Sequence, residues 1–425
     1  MKTARRTRRL RLAAAVAAAT VVFATMTACS SDDEDSSADG GSGESSAAVP
    51  SGAYAGNAAS GEPVKIGLIT NEGGQAISQP ETREAAEAAT EYANANLGGI
   101  AGRPIELVVC KTQEEPTAAR NCANQMVEQN LPAVVVTSTG LGSIINPIIT
   151  GAGIPYATAL GGSPAEIMSE NSFVWTAGSN TSQAMAAYGK EQGWQTAVAY
   201  SIDSPAATGS LERMGGPAFR ANGMEFELIT IPFGSPDATP QVSAGLDKDP
   251  QGVLVYGEST VCTSVLKALS TLGSTAQPIS PQTCAAPEVV SAVGPAAVED
   301  MKIFSSGDSV SDNPESVLFR EIMAEYAPDT PIEGFAVTGY QSMLGFVRAV
   351  QGLNGEVTKQ TVGDALRNAK DVPLPAGDGI TFTCNGTAIP GMQAICGNKM
   401  IVLTMKDGKL TDPEPVSVVP PQQQP

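Results

Sequence analysis

The chain of 425 residues contains no histidine, and basic residues are scarce, with 25 Lys and Arg against 44 Asp and Glu. Without an imidazole, Ser-His-Asp catalysis, Cys-His catalysis and a His-ligated zinc site are excluded. The formal net charge of −19 argues against nucleic acid as a partner, because phosphate binding depends on clustered Lys and Arg. These absences leave two possibilities: an enzyme that uses carboxylate or lysine side chains, or a protein that catalyses no reaction.

Motifs that carry catalysis or nucleotide binding are also missing. The chain has no G-x-S-x-G elbow, no Walker A loop and no G-x-G-x-x-G fingerprint after its first predicted strand. No cysteine pair has the close spacing of a thiolate metal site. We therefore predict a protein that is not an enzyme and holds neither cofactor nor metal. The enzymatic alternative is a carboxylate-dependent hydrolase of the cell envelope.

The first eleven positions hold six of the 25 basic residues, and an Ala/Val-rich stretch follows from Leu12 to about Thr25. This stretch is too short to span a membrane, and it ends at small residues directly before Cys29. The arrangement resembles the bacterial lipoprotein signal, in which the cysteine becomes the first mature residue and carries acyl groups. We expect residues 1–28 to be a signal peptide and Cys29 to be a lipid anchor. An ordinary cysteine beside an ordinary cleavage site is the alternative.

A tether is expected after the anchor. Residues 30–61 are mostly Ser, Gly, Ala, Asp and Glu, with no basic residue, which is typical of a disordered segment. We assign residues 29–62 to the lipidated cysteine and this tether, and residues 413–425, rich in Pro and Gln, to a flexible tail.

Six of the seven cysteines remain once Cys29 is set aside, and an even number in an exported chain indicates disulfides. Six cysteines allow fifteen pairings. Proximity in sequence suggests three of the possible bonds, namely Cys110–Cys122, Cys262–Cys284 and Cys384–Cys396.

From Val64 onward, short apolar runs alternate with helical patterns, which predicts a parallel sheet covered by helices. The pattern restarts near residues 179–182, which indicates a second α/β unit, and it ends in predicted antiparallel strands at residues 380–383 and 400–405.

Open α/β sheets bind ligands at the carboxyl ends of their strands, and the predicted loops there are rich in small and hydroxyl residues. Glycine lets the backbone approach a ligand, while backbone amides and hydroxyls can hold a carboxylate. The same residue types also serve as turns and helix caps, so both readings stay open. The candidate ligand-binding residues in these loops are Gln75, Ser138, Thr139, Leu160, Gly161, Ser163, Asp203, Glu258 and Gln282.

Residues 91–109 carry the pattern N-x-x-G-G-x-x-G-R-x-I-E-L in all but small details. This stretch resembles type I periplasmic binding proteins, the leucine/isoleucine/valine-binding family of ABC importers. Looser matches follow in the same order, at Thr117–Val127, Gly153–Tyr156, Gly209–Leu211 and Gly339-Tyr340. Together they extend the resemblance over Val64 to about Leu410.

The resemblance implies two Rossmann-like lobes joined by three crossovers, with the ligand in the cleft between them. It places residues 63–181 and about 308–370 in the first lobe, and residues 182–307 and about 371–412 in the second. In the family, loops that match Ser138-Thr139 and Leu160–Ser163 hold the ligand's carboxylate and amine. The second-lobe loop at residues 203–206 lacks the family's aromatic residue, and Gln282 stands where an acidic residue is expected. Asp203 or Glu258 could replace that acid.

The chain is therefore expected to be an exported, lipid-anchored monomer on the outer face of the cell membrane. Its expected partners are a small-molecule ligand, an amino acid by family default, and an ABC permease, with the membrane contacted through the lipid anchor only. The alternatives are a sensory ligand-binding domain and a trap for an amide or a small organic acid.

Overall fold

The computed structural model describes residues 48–74, 78–332 and 334–419. The predicted signal peptide, Cys29, the tether up to residue 47, Gln75 and the end of the tail from residue 420 lie outside the described residues. Within the described ranges, none of the helices combines the length and apolar character needed to cross a membrane.

The first lobe is built from alternating strands and helices between residues 64 and 174. In chain order these are β1 Val64–Thr70, α1 Pro80–Asn96, β2 Ile105–Lys111, α2 Pro116–Glu128, β3 Val134–Val136, α3 Gly142–Gly151, β4 Tyr156–Thr158, α4 Pro164–Met168 and β5 Ser172–Val174. The five strands form one parallel sheet in the order β2-β1-β3-β4-β5. The apolar runs that predicted strands are fully buried here, as at Ile66 and Leu68.

The second lobe repeats this architecture. Its elements are α5 Thr181–Glu191, β6 Thr196–Ile202, α6 Pro205–Ser210, α7 Gly216–Ala221, β7 Glu225–Ile231, α8 Thr239–Leu246, β8 Gly252–Tyr256, α9 Ser259–Thr271, β9 Gln277–Pro281, α10 Pro287–Val293 and β10 Lys302–Ser305. Strands β6 to β10 pair in parallel. The predicted two-lobe α/β fold is confirmed.

The chain then returns to the first lobe and crosses a third time. The remaining elements are α11 Pro314–Tyr326, α12 Ala336–Val350, α13 Lys359–Arg367, β11 Val372–Pro373, β12 Thr381–Phe382, β13 Lys399–Lys406 and β14 Lys409–Ser417. Strands β13 and β14 add antiparallel to β10, which completes the order β14-β13-β10-β9-β8-β6-β7.

Helix α12 is the central helix of the first lobe, and almost all its residues are buried. It packs along α1 so closely that a Cβ on Gly339 would lie 1.9 Å from the carbonyl oxygen of Thr82. Only glycine permits this approach. The amino end of α12 thereby reaches the space between the lobes.

Three predicted boundaries need correction. Residues 48–62, assigned to the tether, pack on the first lobe, where the Tyr92 hydroxyl donates to the Ala53 carbonyl and the Ala59 amide to Asn94. Residues 371–396, assigned to the second lobe, also pack on the first, because Phe382 stacks on Trp175 and the Cys396 amide donates to Val174. Strand β14 runs to Ser417, past the predicted start of the tail at residue 413.

All three predicted disulfides are present. Cys110–Cys122 links β2 to α2, Cys262–Cys284 links α9 to the turn after β9, and Cys384–Cys396 closes a loop before β13. Each disulfide joins two segments of the same lobe.

Candidate functional site

A cavity of about 320 Å³ lies where residues of the two lobes face each other. The carboxyl ends of β4, β8, β9 and β10 converge there with the amino end of α12, as expected for ligand sites of parallel sheets. Its volume falls in the range of small-molecule pockets. The cavity is lined by Leu160, Gly178, Thr181, Tyr256, Gly257, Pro281, Gln282, Thr283, Phe304, Ser306, Phe335, Thr338 and Met400.

The chemistry of this lining is apolar with a few hydroxyl groups. Leucine, methionine and three aromatic side chains supply the walls, and none of the described lining residues carries a charge. The lining reaches deep into the fold, since Phe304 and Thr338 are each only 1% exposed. Burial raises the pKa of the Tyr256 hydroxyl, which therefore stays protonated at neutral pH and can donate a hydrogen bond.

Beside the cavity, the loop after β4 is held by the buried carboxylate of Glu166. Its two oxygens accept hydrogen bonds from the Tyr156 hydroxyl at 2.6 Å and from the backbone amides of Gly162 and Ser163 at 3.1 and 2.8 Å. Ser163 in turn caps α4 by accepting from the Glu166 amide. The amides that the resemblance assigned to a ligand carboxylate are thus bound by a carboxylate of the chain itself.

The loop after β3 has the same arrangement. The carboxylate of Glu114 accepts from the Thr139 hydroxyl at 2.9 Å and from the Gly140 amide at 3.0 Å. The Thr139 hydroxyl also accepts from the Leu141 amide. Ser138, its neighbour, is half-buried and does not belong to the cavity lining. Its predicted contact with a ligand stays a prediction.

Gln282 lies at the carboxyl end of β9 and joins the lobes. Its side-chain amide donates to the carbonyl of Gly334, in the first-lobe loop before α12, and its side-chain oxygen accepts from the Ser305 hydroxyl at 2.7 Å. The residue thus lines the cavity with both polar ends already engaged.

The two acidic candidates of the second lobe stand apart from the cavity lining. Asp203 is exposed at the end of β6. Glu258 caps α9, where one carboxylate oxygen accepts from the Thr260 amide. Its other oxygen is buried without a hydrogen-bond partner among the described residues. Whether either residue contacts a ligand stays a prediction.

Of the nine candidate ligand-binding residues, Leu160 and Gln282 line the cavity, and Gly161 is buried next to Leu160. Sequence reasoning missed Tyr256, the last residue of β8, and Phe304, one residue before the end of β10. That position was itself the available signal, because the carboxyl end of a parallel strand faces the cleft. The described part of the chain holds no group of three or more potential metal ligands.

Two α/β lobes joined by three chain crossings, with a cavity between them, form the two-lobe architecture of type I periplasmic binding proteins. The chain belongs to the periplasmic binding protein family, whose family model matches residues 63–408. None of the curated proteins matches the sequence.

Solved structures share the fold at low sequence identity. The leucine-binding protein LivK from Thermotoga maritima is 19% identical, with a TM-score of 0.67 over 83% of this chain and 99% of its own. LivJ from Streptococcus pneumoniae, in complex with isoleucine, is 18% identical, with a TM-score of 0.67 over 84% and 100%. A fatty acid ABC transporter substrate-binding protein from Thermomonospora curvata is 18% identical, with a TM-score of 0.64 over 84% and 92%.

Proposed function

We propose that the protein is the extracytoplasmic solute-binding component of an ABC importer and carries out no catalysis. The observation that supports this role best is the cavity, because its walls come from both lobes. A ligand that contacts both lobes binds the closed arrangement better than an open one and so shifts the population toward closure. A permease can therefore distinguish the liganded, closed form from the open one.

Ligand-induced closure is the test of this proposal. Spin labels on the exposed residues Glu128 and Glu225, one in each lobe, report the distance between the lobes. We expect a ligand identified by native mass spectrometry of the purified protein to narrow the distance distribution and shift its mean. A bound ligand that leaves the distribution unchanged would contradict the transport role.

The proposal includes a lipid anchor at Cys29 on the outer face of the cell membrane. A Cys29→Ala chain should be exported and recovered in the soluble fraction, whereas the unaltered chain should fractionate with membranes. Membrane recovery of Cys29→Ala would defeat the anchor. The packing of residues 48–62 on the first lobe shortens the proposed free tether to about residues 30–47.

A sensory ligand-binding domain is the competing role, because ligand-driven closure serves signalling as well as transport. Neighbouring genes distinguish the two roles. Genes for a permease and an ATPase beside this one favour import, whereas an adjacent kinase gene favours sensing.

The solved relatives include a complex with isoleucine and a fatty acid transporter component, so one fold hosts chemically different ligands. A branched-chain amino acid is the family default, and its two charges would need partners in the cleft.

A further inference from the structure

We infer that the cleft takes an uncharged ligand with an apolar body and one or two hydrogen-bonding groups, and that it rejects zwitterionic amino acids. This inference rests on the proposed function and names the substrate class of the same cavity. Three observations lead to it: four donors in the loops after β3 and β4 are already bound to carboxylates of the chain, the described lining has no charged side chain, and the nearby acids Asp203 and Glu258 lie outside the lining.

In the loops after β3 and β4, several of the donors that could hold a ligand carboxylate are bound to carboxylates of the chain itself. Glu114 binds the Thr139 hydroxyl and the Gly140 amide, and Glu166 binds the amides of Gly162 and Ser163. A ligand carboxylate would have to displace one of these side chains or lie against it. Displacing Glu166 leaves a charge buried at 1% exposure without its donors, and lying against it places like charges together.

The cavity itself offers no counter-ion. A buried ammonium or carboxylate is tolerated when it is paired and hydrogen-bonded, and the described lining residues include no Asp, Glu, Lys or Arg. Aromatic rings and aliphatic side chains provide apolar contact instead, at Leu160, Tyr256, Phe304, Phe335 and Met400. Hydroxyls of the lining, among them those of Ser306, Thr338 and Tyr256, can meet an amide, alcohol or carbonyl of the ligand.

Matched probes with one carbon skeleton test the charge preference. Leucine, 4-methylpentanoate, 4-methylpentylamine and 4-methylpentanamide present a zwitterion, an anion, a cation and a neutral amide. Phenylalanine and 3-phenylpropanamide repeat the comparison with a larger body. Binding is measured by titration calorimetry on the full chain carrying Cys29→Ser, so that no lipid or detergent competes for an apolar cavity.

We expect each neutral amide to bind at least tenfold more tightly than its charged counterparts. Tighter binding of leucine or phenylalanine overturns the inference, and so does the absence of binding by both amides at millimolar concentration. If leucine binds more tightly than the amides and closes the lobes, the proposed function is supported and this inference is overturned. If no bound ligand of any class closes the lobes, the proposed function itself is contradicted.

Three further variants locate the binding. Tyr256→Ala removes a wall of the cavity and should weaken amide binding at least tenfold. Tyr256→Phe keeps the aromatic ring and should retain most of the amide affinity. If the unaltered protein and both variants bind the amide with equal affinity, the amide binds elsewhere and the inference is overturned. Glu258→Gln neutralises the acid that follows the lining residue Gly257. Amide affinity should be unchanged in Glu258→Gln, and leucine binding that this substitution abolishes would show that Glu258 serves as an ammonium partner.

Discussion

Glu166 follows Ser163 by three positions, a spacing that is typical of a helix capping box and that the structure contains. What the spacing cannot indicate is the third partner, the Tyr156 hydroxyl, which comes from β4. Burial, reinforced by the charge of Glu166, raises the pKa of Tyr156 well above its usual value. The tyrosine therefore stays a donor, and the carboxylate keeps partners on both of its oxygens.

The same carboxylate explains a glycine at the start of α3. A Cβ on Gly142 would lie 2.0 Å from the Glu166 carboxylate. The carboxylate could move away only by breaking hydrogen bonds to Tyr156 and Ser163. Gly151, at the other end of the same helix, has no atom within 4 Å of its Cβ position. We predict that Gly142→Ala lowers the free energy of unfolding by about 1–3 kcal/mol, the usual cost of overpacking.

Gly151→Ala is the matched control for this prediction. It should leave stability unchanged or raise it by about 0.5 kcal/mol, because alanine restricts the unfolded chain and favours helix. Urea unfolding of both variants gives the comparison. Equal stabilities would mean that Glu166 relaxes at no cost and that its hydrogen bonds are weak.

At the scale of elements, β9 shows where sequence patterns fail. Its residues Gln277–Pro281 include two prolines, which argue against a strand inside a sheet, yet β9 lies between β8 and β10. Proline removes backbone donors, and the Ser280 hydroxyl supplies one by donating to the Val255 carbonyl at 2.9 Å. This compensation depends on a neighbouring strand, so local sequence could not predict it.

The disulfide between Cys262 and Cys284 ties β9's following turn to α9. Closing a loop of this separation reduces the entropy of the unfolded chain by an amount worth about 3 kcal/mol. We predict that the double variant Cys262→Ala/Cys284→Ala loses about that much unfolding free energy, as measured by urea titration under oxidising conditions.

The control for the disulfide is the redox condition. Under a strong reductant, the variant and the unaltered protein should differ by no more than the small loss of packing at two buried side chains. A stability difference that persists unchanged in reductant would show that sulfur packing, and not the covalent link, stabilises this part of the lobe.

At the scale of the whole molecule, the alternation of strands and helices was enough to predict two α/β lobes, because buried parallel strands have a strong local signal. The resemblance added the three crossings. The site was harder, since Tyr256, Phe304 and Phe335 converge from different lobes and no local pattern relates them. The binding of Glu114 to the loop after β3 was unpredictable for the same reason, whereas the spacing of Ser163 and Glu166 does indicate their capping box.

The absence of histidine has a consequence for stability across pH. The chain has no imidazole to titrate near neutral pH, and burial raises the pKa of Tyr92 and of Tyr200 to about 12. A raised tyrosine pKa favours the neutral, folded form, so its contribution is complete below pH 10 and is lost as pH rises toward 12. We predict a constant urea midpoint from pH 7 to 9 and a steep fall above pH 10.

Tyr92→Phe is the check on that assignment. The variant should be less stable at pH 8, because the Ala53 carbonyl loses its donor, and should show a shallower fall above pH 10. An identical alkaline fall in the variant would assign the transition to other groups.

Gln282 connects the two lobes in the structure. Its amide hydrogen bond to the Gly334 carbonyl crosses the cleft, and a hydrogen bond of this kind is worth about 1 kcal/mol, or roughly a fivefold change in an equilibrium. We predict that Gln282→Ala shifts the unliganded protein toward longer or broader distances between labels on Glu128 and Glu225.

The matched control is Gln277→Ala, at the other end of β9, because the Gln277 amide donates to the carbonyls of Pro278 and Asp300 within one lobe. This variant should keep the distance distribution of the unaltered protein. If the two variants shift the distribution equally, the effect comes from a weakened β9. A shift confined to Gln282→Ala would mean that this one side chain holds the unliganded lobes in their closed arrangement. Ligand affinity should then fall by the same factor as the population of the closed form.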